Sequence, residues 1–335
     1  MKHIFTLALL LAAYASQATI LNLNNSATSP GQYTTAAAAI TAASTGDTIL
    51  IAGTDLSYGS FTINKSISLI GPGWIINGAG ISKVAICADI TVSVHDVKIE
   101  GIRCNTITAA SGGSQINNLR VKRCIFDSGI GGSSEHVVDG LIEGCIFTEW
   151  NDYNISSSTS SWNFDNCTIT NNIFSGYLYN VDNSVIQNNI FLGTSTLTNL
   201  SATYTNNNVF QGNIAIGRSL GSLPATNTVS GNLGYSSGGT VWGGSGNINE
   251  ADPTFTTYTP LALHTWNNDY SLLPGSPAIA LGPGGEDAGV FGGDGVYRQD
   301  GEPSVPIIRA VAVPGGNTVP ANSTFTINIT TVSHE

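Results

Sequence analysis

Between residues 99 and 234 the chain repeats one short pattern of apolar and polar positions. An apolar residue is followed by two polar residues or glycines, then a small or amide residue, then an apolar pair. Six segments superpose: Val121-Lys122-Arg123-Cys124-Ile125-Phe126, Ile142-Glu143-Gly144-Cys145-Ile146-Phe147, Ile169-Thr170-Asn171-Asn172-Ile173-Phe174, Ile186-Gln187-Asn188-Asn189-Ile190-Phe191, Thr205-Asn206-Asn207-Asn208-Val209-Phe210 and Val229-Ser230-Gly231-Asn232-Leu233-Gly234. Ile99-Glu100-Gly101-Ile102-Arg103-Cys104 is a weaker early copy. The fourth positions fall at Ile102, Cys124, Cys145, Asn172, Asn189, Asn208 and Asn232, a step near twenty residues. That is one coil of a solenoid, too short for a helix pair and too irregular for a propeller blade.

Stacked coils turn the repeat into columns about 4.8 Å apart. Phe126, Phe147, Phe174, Phe191 and Phe210 are expected to form one buried ring stack. Asn172, Asn189 and Asn208 form an amide column able to hydrogen-bond along the axis, with Cys124 and Cys145 in the same column earlier. Glu100, Lys122 and Glu143 align on the outward side and read as an exposed, register-fixing charge ladder.

A bare solenoid end exposes core and strand edges and needs a cap. Tyr33 to Ala43 is alanine-rich and suits a helix. The run TTAAAAITAASTGDTILIAG (34–53) with GSFTINKSISLIGPG (59–73) resembles the N-terminal cap and first coils of the pectin-lyase-like superfamily. At the other end ADPTF (251–255), DYSLLPGSPAIALG (269–282) and DAGVFGG (287–293) resemble the closing segment of secreted bacterial right-handed parallel β-helix repeat proteins. The resemblance covers roughly Tyr33 to Gly293. It implies an all-β chain: a right-handed parallel β-helix with a short N-terminal helical cap. Two further strand-like runs, Val305–Val313 and Ser323–Ile329, flank a Pro-Gly-Gly-Asn turn and are expected as a C-terminal β-hairpin or tail.

Lys2, the apolar run Ile4–Ala15 and the small residues around Ser16-Gln17-Ala18 read as a secretory signal peptide. The expected organisation is a leader over 1–18, the β-helix over 19–300 and the hairpin or tail over 301–335, on a secreted or cell-surface protein. Only 10% of residues are charged while 41% are hydrophobic, and glycine numbers 39, which suits many short strands joined by polar turns. A net charge of −11 argues against nucleic acid and anionic membranes as partners. No segment after the leader is long enough to span a bilayer. Cys87, Cys104, Cys124, Cys145 and Cys167 are odd in number and lack the spacing of a zinc site. Buried free thiols following the repeat explain them.

The enzymes of the superfamily mostly cut acidic polysaccharides. The Trp-x-Asp-His run of pectate lyases and the Gly-His-Gly and Arg-Ile-Lys elements of polygalacturonases do not occur in this chain. Three residues remain as catalytic candidates: His136 or Arg123 as a base, with Asp139 as a cation ligand. Glu149, Asp152, Asp165 and Asp182 form an acidic set to which Ca²⁺ could be assigned. The longest step, Cys145 to Asn172, carries an insertion with Trp150, Tyr153 and Trp162, and Tyr177 and Tyr179 follow on the next coil. Flat aromatics beside Asn and Asp suit the apolar faces and hydroxyls of sugars. Extracellular polysaccharide is therefore the expected partner. A non-catalytic binder would present exposed aromatics. A polysaccharide lyase would present clustered titratable groups in a groove. A structural spacer or adhesin element would present neither.

Overall fold

The structure is a computed structural model that describes residues 18–77, 80–110, 115–132, 137–148, 153–157, 164–193, 205–217, 223–235, 242–293, 297–305, 307–312 and 328–332. It is a right-handed parallel β-helix. Ten short strands, from Ile20–Leu23 to Thr228–Ser230, stack into one parallel sheet. A second sheet of twelve strands runs from Phe61–Ile63 to Leu233–Tyr235, and Ile116–Asn117, Val137–Val138, Phe164–Asp165 and Val181–Asp182 form a third. Each coil passes through the sheets in turn, so every strand pairs with its equivalent one coil away.

The first end is closed by the helix Ala36–Ala42, shorter than the sequence pattern suggests. Thr35 caps it by accepting from the Ala38 amide, and Ala36, Ala39 and Ile40 face the core. The break after the helix is tied by Asp47, whose carboxylate accepts from the amides of Thr19 and Ser44, both at 2.7 Å. Those amides hold the Asp47 carboxyl below its ordinary pKa. At the other end Trp242 plugs the core, its Nε1 donating to Leu233 at 2.9 Å.

The ring stack forms for four of the five phenylalanines. Phe126, Phe147, Phe174 and Phe191 lie in register on neighbouring strands, with centroids 4.7, 4.7 and 5.2 Å apart. Phe210 is not in that column. It pairs with Ile186 in the ten-stranded sheet, and Ala215 occupies the position next to Phe191. The physical reason is volume. The interior is fixed in cross-section, so a ring entering from the opposite sheet leaves room only for a methyl group. Phe210 then packs against Trp242 at 6.2 Å.

The amide column is corrected by the same slip. Its members are Asn172, Asn189, Asn213, Asn232 and Asn247, each Oδ1 accepting the backbone N–H one coil earlier at 2.8–3.0 Å. The first of these bonds is donated by Cys145, which confirms the thiol-to-amide succession. Asn208 belongs to a second ladder at another corner, where it accepts from the Ser184 amide and donates its own to Asn227. All five cysteines are free and buried. Burial pushes the Cys87 and Cys167 thiols up to about 12, which keeps them protonated and inert.

Beyond the cap the chain turns back along the outside of the solenoid, a feature the sequence pattern did not suggest. Ile125, Ile146, Ile173, Ile190, Ile214 and Leu233 point outward from the twelve-stranded sheet, yet all are buried. The returning segment covers them with Phe255, Tyr258, Tyr270, Ala278, Val290 and Tyr297. It is fastened at Gly212 by the Gly289 amide (2.7 Å) and at Asn171, whose Nδ2 donates to Val290 and Gly292. Near the first coils the Trp74 indole donates to Gln299 at 2.8 Å. Ile307–Ala312 and Asn328–Val332 then pair antiparallel.

Candidate functional site

The charged trio of the ten-stranded sheet stands in register, as the repeat implies: Lys122 pairs with both Glu100 and Glu143 along the backbone. Its chemistry differs from an exposed ladder. Lys122 bonds Glu143 at 2.9 Å, whereas Glu100 is fully buried and is held by Lys98 (2.7 Å) and Arg123 (2.5 Å). The returning segment completes the shell, with the Ser304 amide and hydroxyl donating to Glu100 at 2.8 and 3.0 Å. Burial alone would raise the Glu100 pKa. The bonds from Lys98 and Ser304 and the charge of Arg123 outweigh it and hold the carboxyl below its ordinary value. This cluster is a latch for the returning segment.

Arg123 is spent in that latch, buried between Glu100 and Glu143. Asp139 sits elsewhere, exposed in a left-handed turn (φ 57°) before the strand Leu141–Glu143, where it accepts from Asn166 Nδ2. Asp96 plays the same part under Asn118, so this corner is a column of Asp and Asn turn residues. Arg123 follows a strand of the sheet and Asp139 precedes the neighbouring one. The offset is about five residues, or roughly 15 Å. The structure therefore does not bring these two candidates together. His136 lies outside the described residues, as do Trp150, Trp162, Glu149 and Asp152.

Asp165 and Asp182 are in register on adjacent strands. Each carboxylate is already engaged, Asp165 by Asn183 Nδ2 and Asp182 by the Asn206 amide at 2.7 Å. Among the described residues no group of three or more His, Cys, Asp or Glu side chains could hold a metal ion.

The insertion does build a strand. Tyr153–Ser157 joins the twelve-stranded sheet, between the far half of Ile125–Gly132 and Tyr177–Leu178. Tyr153 stands opposite Tyr177, and after an irregularity Ile155 stands opposite Leu178. Tyr179 follows, half-buried, its amide bonded to Ile155 at 2.9 Å. Backbone register thus gathers three of the five aromatic candidates on neighbouring rungs.

The long strands of this sheet also hold polar groups, Arg103 in register with Ile125 and Asp89 with Thr106. Arg103 grips Asp127 through Nε and Nη2 at 2.8–3.1 Å. Asp89 accepts from Asn105 and Thr106 at 2.7 and 2.8 Å. The signal was present as Phe61-Thr62-Ile63, Ile90-Thr91-Val92 and Ile107-Thr108-Ala109, three apolar–Thr–apolar triplets at coil spacing.

No protein-family model matches the chain, and no curated protein matches it. Among solved structures, the chain resembles two forms of the PL6 family alginate lyase AlyGC. One, an arginine-to-alanine mutant, is 14% identical with a TM-score of 0.39, and the match covers 68% of this chain and 40% of that one. The other is 13% identical with a TM-score of 0.35, covering 73% and 42%. The chain thus spans about two-fifths of the length of these lyases, and at this identity the likeness concerns architecture alone.

Proposed function

We propose that this is a secreted or cell-surface β-helix protein that holds extracellular polysaccharide on the aromatic insertion coil without cleaving it. In this reading residues 1–18 are a leader removed on export, 19–300 are the working β-helix and 301–335 are an appended hairpin or tail. The observation that carries it is the backbone register that sets Tyr153 beside Tyr177, with Tyr179 two positions on. Tyrosines one rung apart span a length comparable to a sugar ring, and aromatic faces suit the apolar faces of pyranoses. The solenoid beneath is stiffened by the Phe and Asn columns, so an extended glycan docks with little ordering cost in the protein. The absence of cleavage is favoured by Arg123, which is buried in ion pairs, and by Asp139, which is bound into a turn.

Affinity electrophoresis of the mature protein on a panel of glycans, with cleavage assayed on the same panel, tests the proposal. Replacing Trp150 and Trp162, or Tyr153 and Tyr177, by Ala is expected to abolish retention while the protein stays folded. Undiminished retention of both double variants, together with cleavage of a uronic-acid polymer that stops in His136→Ala or Asp139→Ala, would replace the binder with a lyase.

A further inference from the structure

The twelve-stranded sheet has two outer zones of opposite character. One is the isoleucine column, sealed by the returning segment. The other lies along the far halves of the long strands. There Ile63, Ile90, Val92, Ile107, Ala109, Ile130 and Ile155 are buried in the core, so the residues between them face outward. Pairing register makes those outward residues a single row: Thr62 beside Thr91, Thr91 beside Thr108 and Thr108 beside Gly131, whose backbone pairs in turn with Ser156. Thr62 is exposed, and Thr91, Thr108 and Gly131 are half-buried. A second row runs alongside it, Asp89 beside Thr106 and Thr106 beside Gly129.

Three hydroxyls at about 4.8 Å intervals, then a position with no side chain, make a flat strip that ends at the strand carrying Tyr153. Its charge decides what can lie on it. The strands Phe61–Ile63, Asp89–Val92, Ile102–Ala109 and Ile125–Gly132 contain only Asp89, Arg103 and Asp127 as charged residues. Arg103 is committed to Asp127 at 2.8 Å, and Asp89 is exposed. Among the described residues these strands offer no uncommitted cation to a carboxylate or sulfate, and Asp89 repels one, on a chain of net charge −11. A neutral sugar meets hydroxyl and amide partners without that penalty.

We infer that this threonine–glycine strip is the subsite for an uncharged, hydroxyl-rich polysaccharide lying along the solenoid axis. The inference rests on the polysaccharide-contact reading above and names its ligand class and its polar contacts. Thr91 and Thr108 present hydroxyls to consecutive sugars, Gly131 leaves space for a ring, and the Tyr153 and Tyr177 rungs continue the track.

The test uses the mature full-length protein in affinity electrophoresis against glucomannan as the neutral probe and polygalacturonate as the anionic one. Wild type is expected to be retarded by glucomannan and to run freely in polygalacturonate. Thr91→Val with Thr108→Val removes two hydroxyls and keeps the β-branched shape that strands favour. At about 1 kcal/mol for each lost hydrogen bond, retention should weaken on the order of 10-fold or more at unchanged melting temperature. Equal or stronger retention on polygalacturonate, or a double valine variant retained like wild type, overturns the inference. If the variant does not fold, hydroxyl-radical footprinting of wild type decides: protection of Thr91 and Thr108 by glucomannan supports the subsite, and unchanged labelling overturns it. Loss of binding in Tyr153→Ala with Tyr177→Ala but not in the valine variant leaves polysaccharide contact standing and removes this subsite. Wild type that neither polymer retards overturns the inference by itself, and the broader glycan panel then decides the contact reading separately.

Discussion

Asn189 is the best point at which to test what holds the coils in register. Its Oδ1 accepts from both the backbone N–H and the Nδ2 of Asn172, each at 3.0 Å. Its Nδ2 donates to the carbonyls of Ile169 and Gln187 at 2.9 Å and to Asn213 Oδ1 at 3.0 Å. In Asn189→Ala the Asn172 amide and the Ile169 carbonyl lose partners inside the solenoid, where water does not reach. Leaving a buried polar group unpaired costs about 1–3 kcal/mol, so two such groups bring the loss to roughly 2–6 kcal/mol. Asn247, at the open end of the ladder, is the control. It accepts from Asn232 and donates to Val229 and Gly243, but its contacts are only part-buried and water can replace them. Asn247→Ala should therefore cost about 1 kcal/mol. Thermal melts followed by circular dichroism report the difference. At roughly 2–4 °C per kcal/mol for a domain of this size, Asn189→Ala should lower Tm by on the order of 10 °C and Asn247→Ala by a few degrees. Equal shifts in the two variants would show that the ladder is an ornament of the turn and does not stabilise it.

Three further outcomes follow from the same structure. Phe174→Ala removes the ring between Phe147 and Phe191 and should cost roughly 3–5 kcal/mol, while a loss under about 1 kcal/mol in denaturant titration would contradict a buried stack. His264 is bonded to the Tyr270 hydroxyl through Nδ1 at 2.8 Å, and burial pushes its pKa down to about 4. Its folded form stays neutral where the unfolded chain binds a proton, so stability should fall by on the order of 2–3 kcal/mol as pH drops from about 6.5 to about 4; His264→Phe should flatten that slope, and an unchanged slope refutes the assignment. Gly301→Ala places a methyl 2.0 Å from the Trp74 ring in a backbone with φ of 59°, so it should free the returning segment and raise its proteolysis rate, which limited trypsin digestion reads.

The repeat was legible because stacking imposes it: a corner must present a small or amide side chain, and an interior must present large apolar ones, at every coil. What misled was the choice between two corners. The run Thr205–Phe210 ends in Asn-Asn-Val-Phe and so follows the Asn-Asn-Ile-Phe pattern with one aliphatic exchange, yet Asn208 serves the Ser184–Asn227 ladder. The true successor, Gln211-Gly212-Asn213-Ile214-Ala215, hides behind a missing ring. Periodicity alone cannot see that Phe210 supplies the volume Ala215 lacks, because the compensation crosses from one sheet to the other. The burial of Glu100 was equally hidden, since its partner Ser304 comes from a segment 204 residues away. Of the candidate site, the tyrosine rungs followed from coil spacing. The threonine strip did not, because an apolar–Thr–apolar triplet is the ordinary pattern of any half-buried strand and carries no charge or ring to single it out.

The isoleucine column explains why the open strip lies where it does. Each outward Ile would expose an apolar surface whose burial is worth roughly 1.5–3 kcal/mol, and five of them with Leu233 stand in one line. Even discounted for residual burial in the unfolded chain, that sum rivals the net stability of a whole domain. The returning segment therefore cannot act as a lid that opens to admit a ligand: lifting it would bare the column and break the Glu100 latch together. A ligand must use a face that is open in the folded state. On the twelve-stranded sheet the threonine rows meet that condition, because small hydroxyl side chains gain nothing from a cover. The strands there run on past the isoleucine column, up to Ile102–Ala109 and Ile125–Gly132, and this added length is what carries the sheet out from under the returning segment.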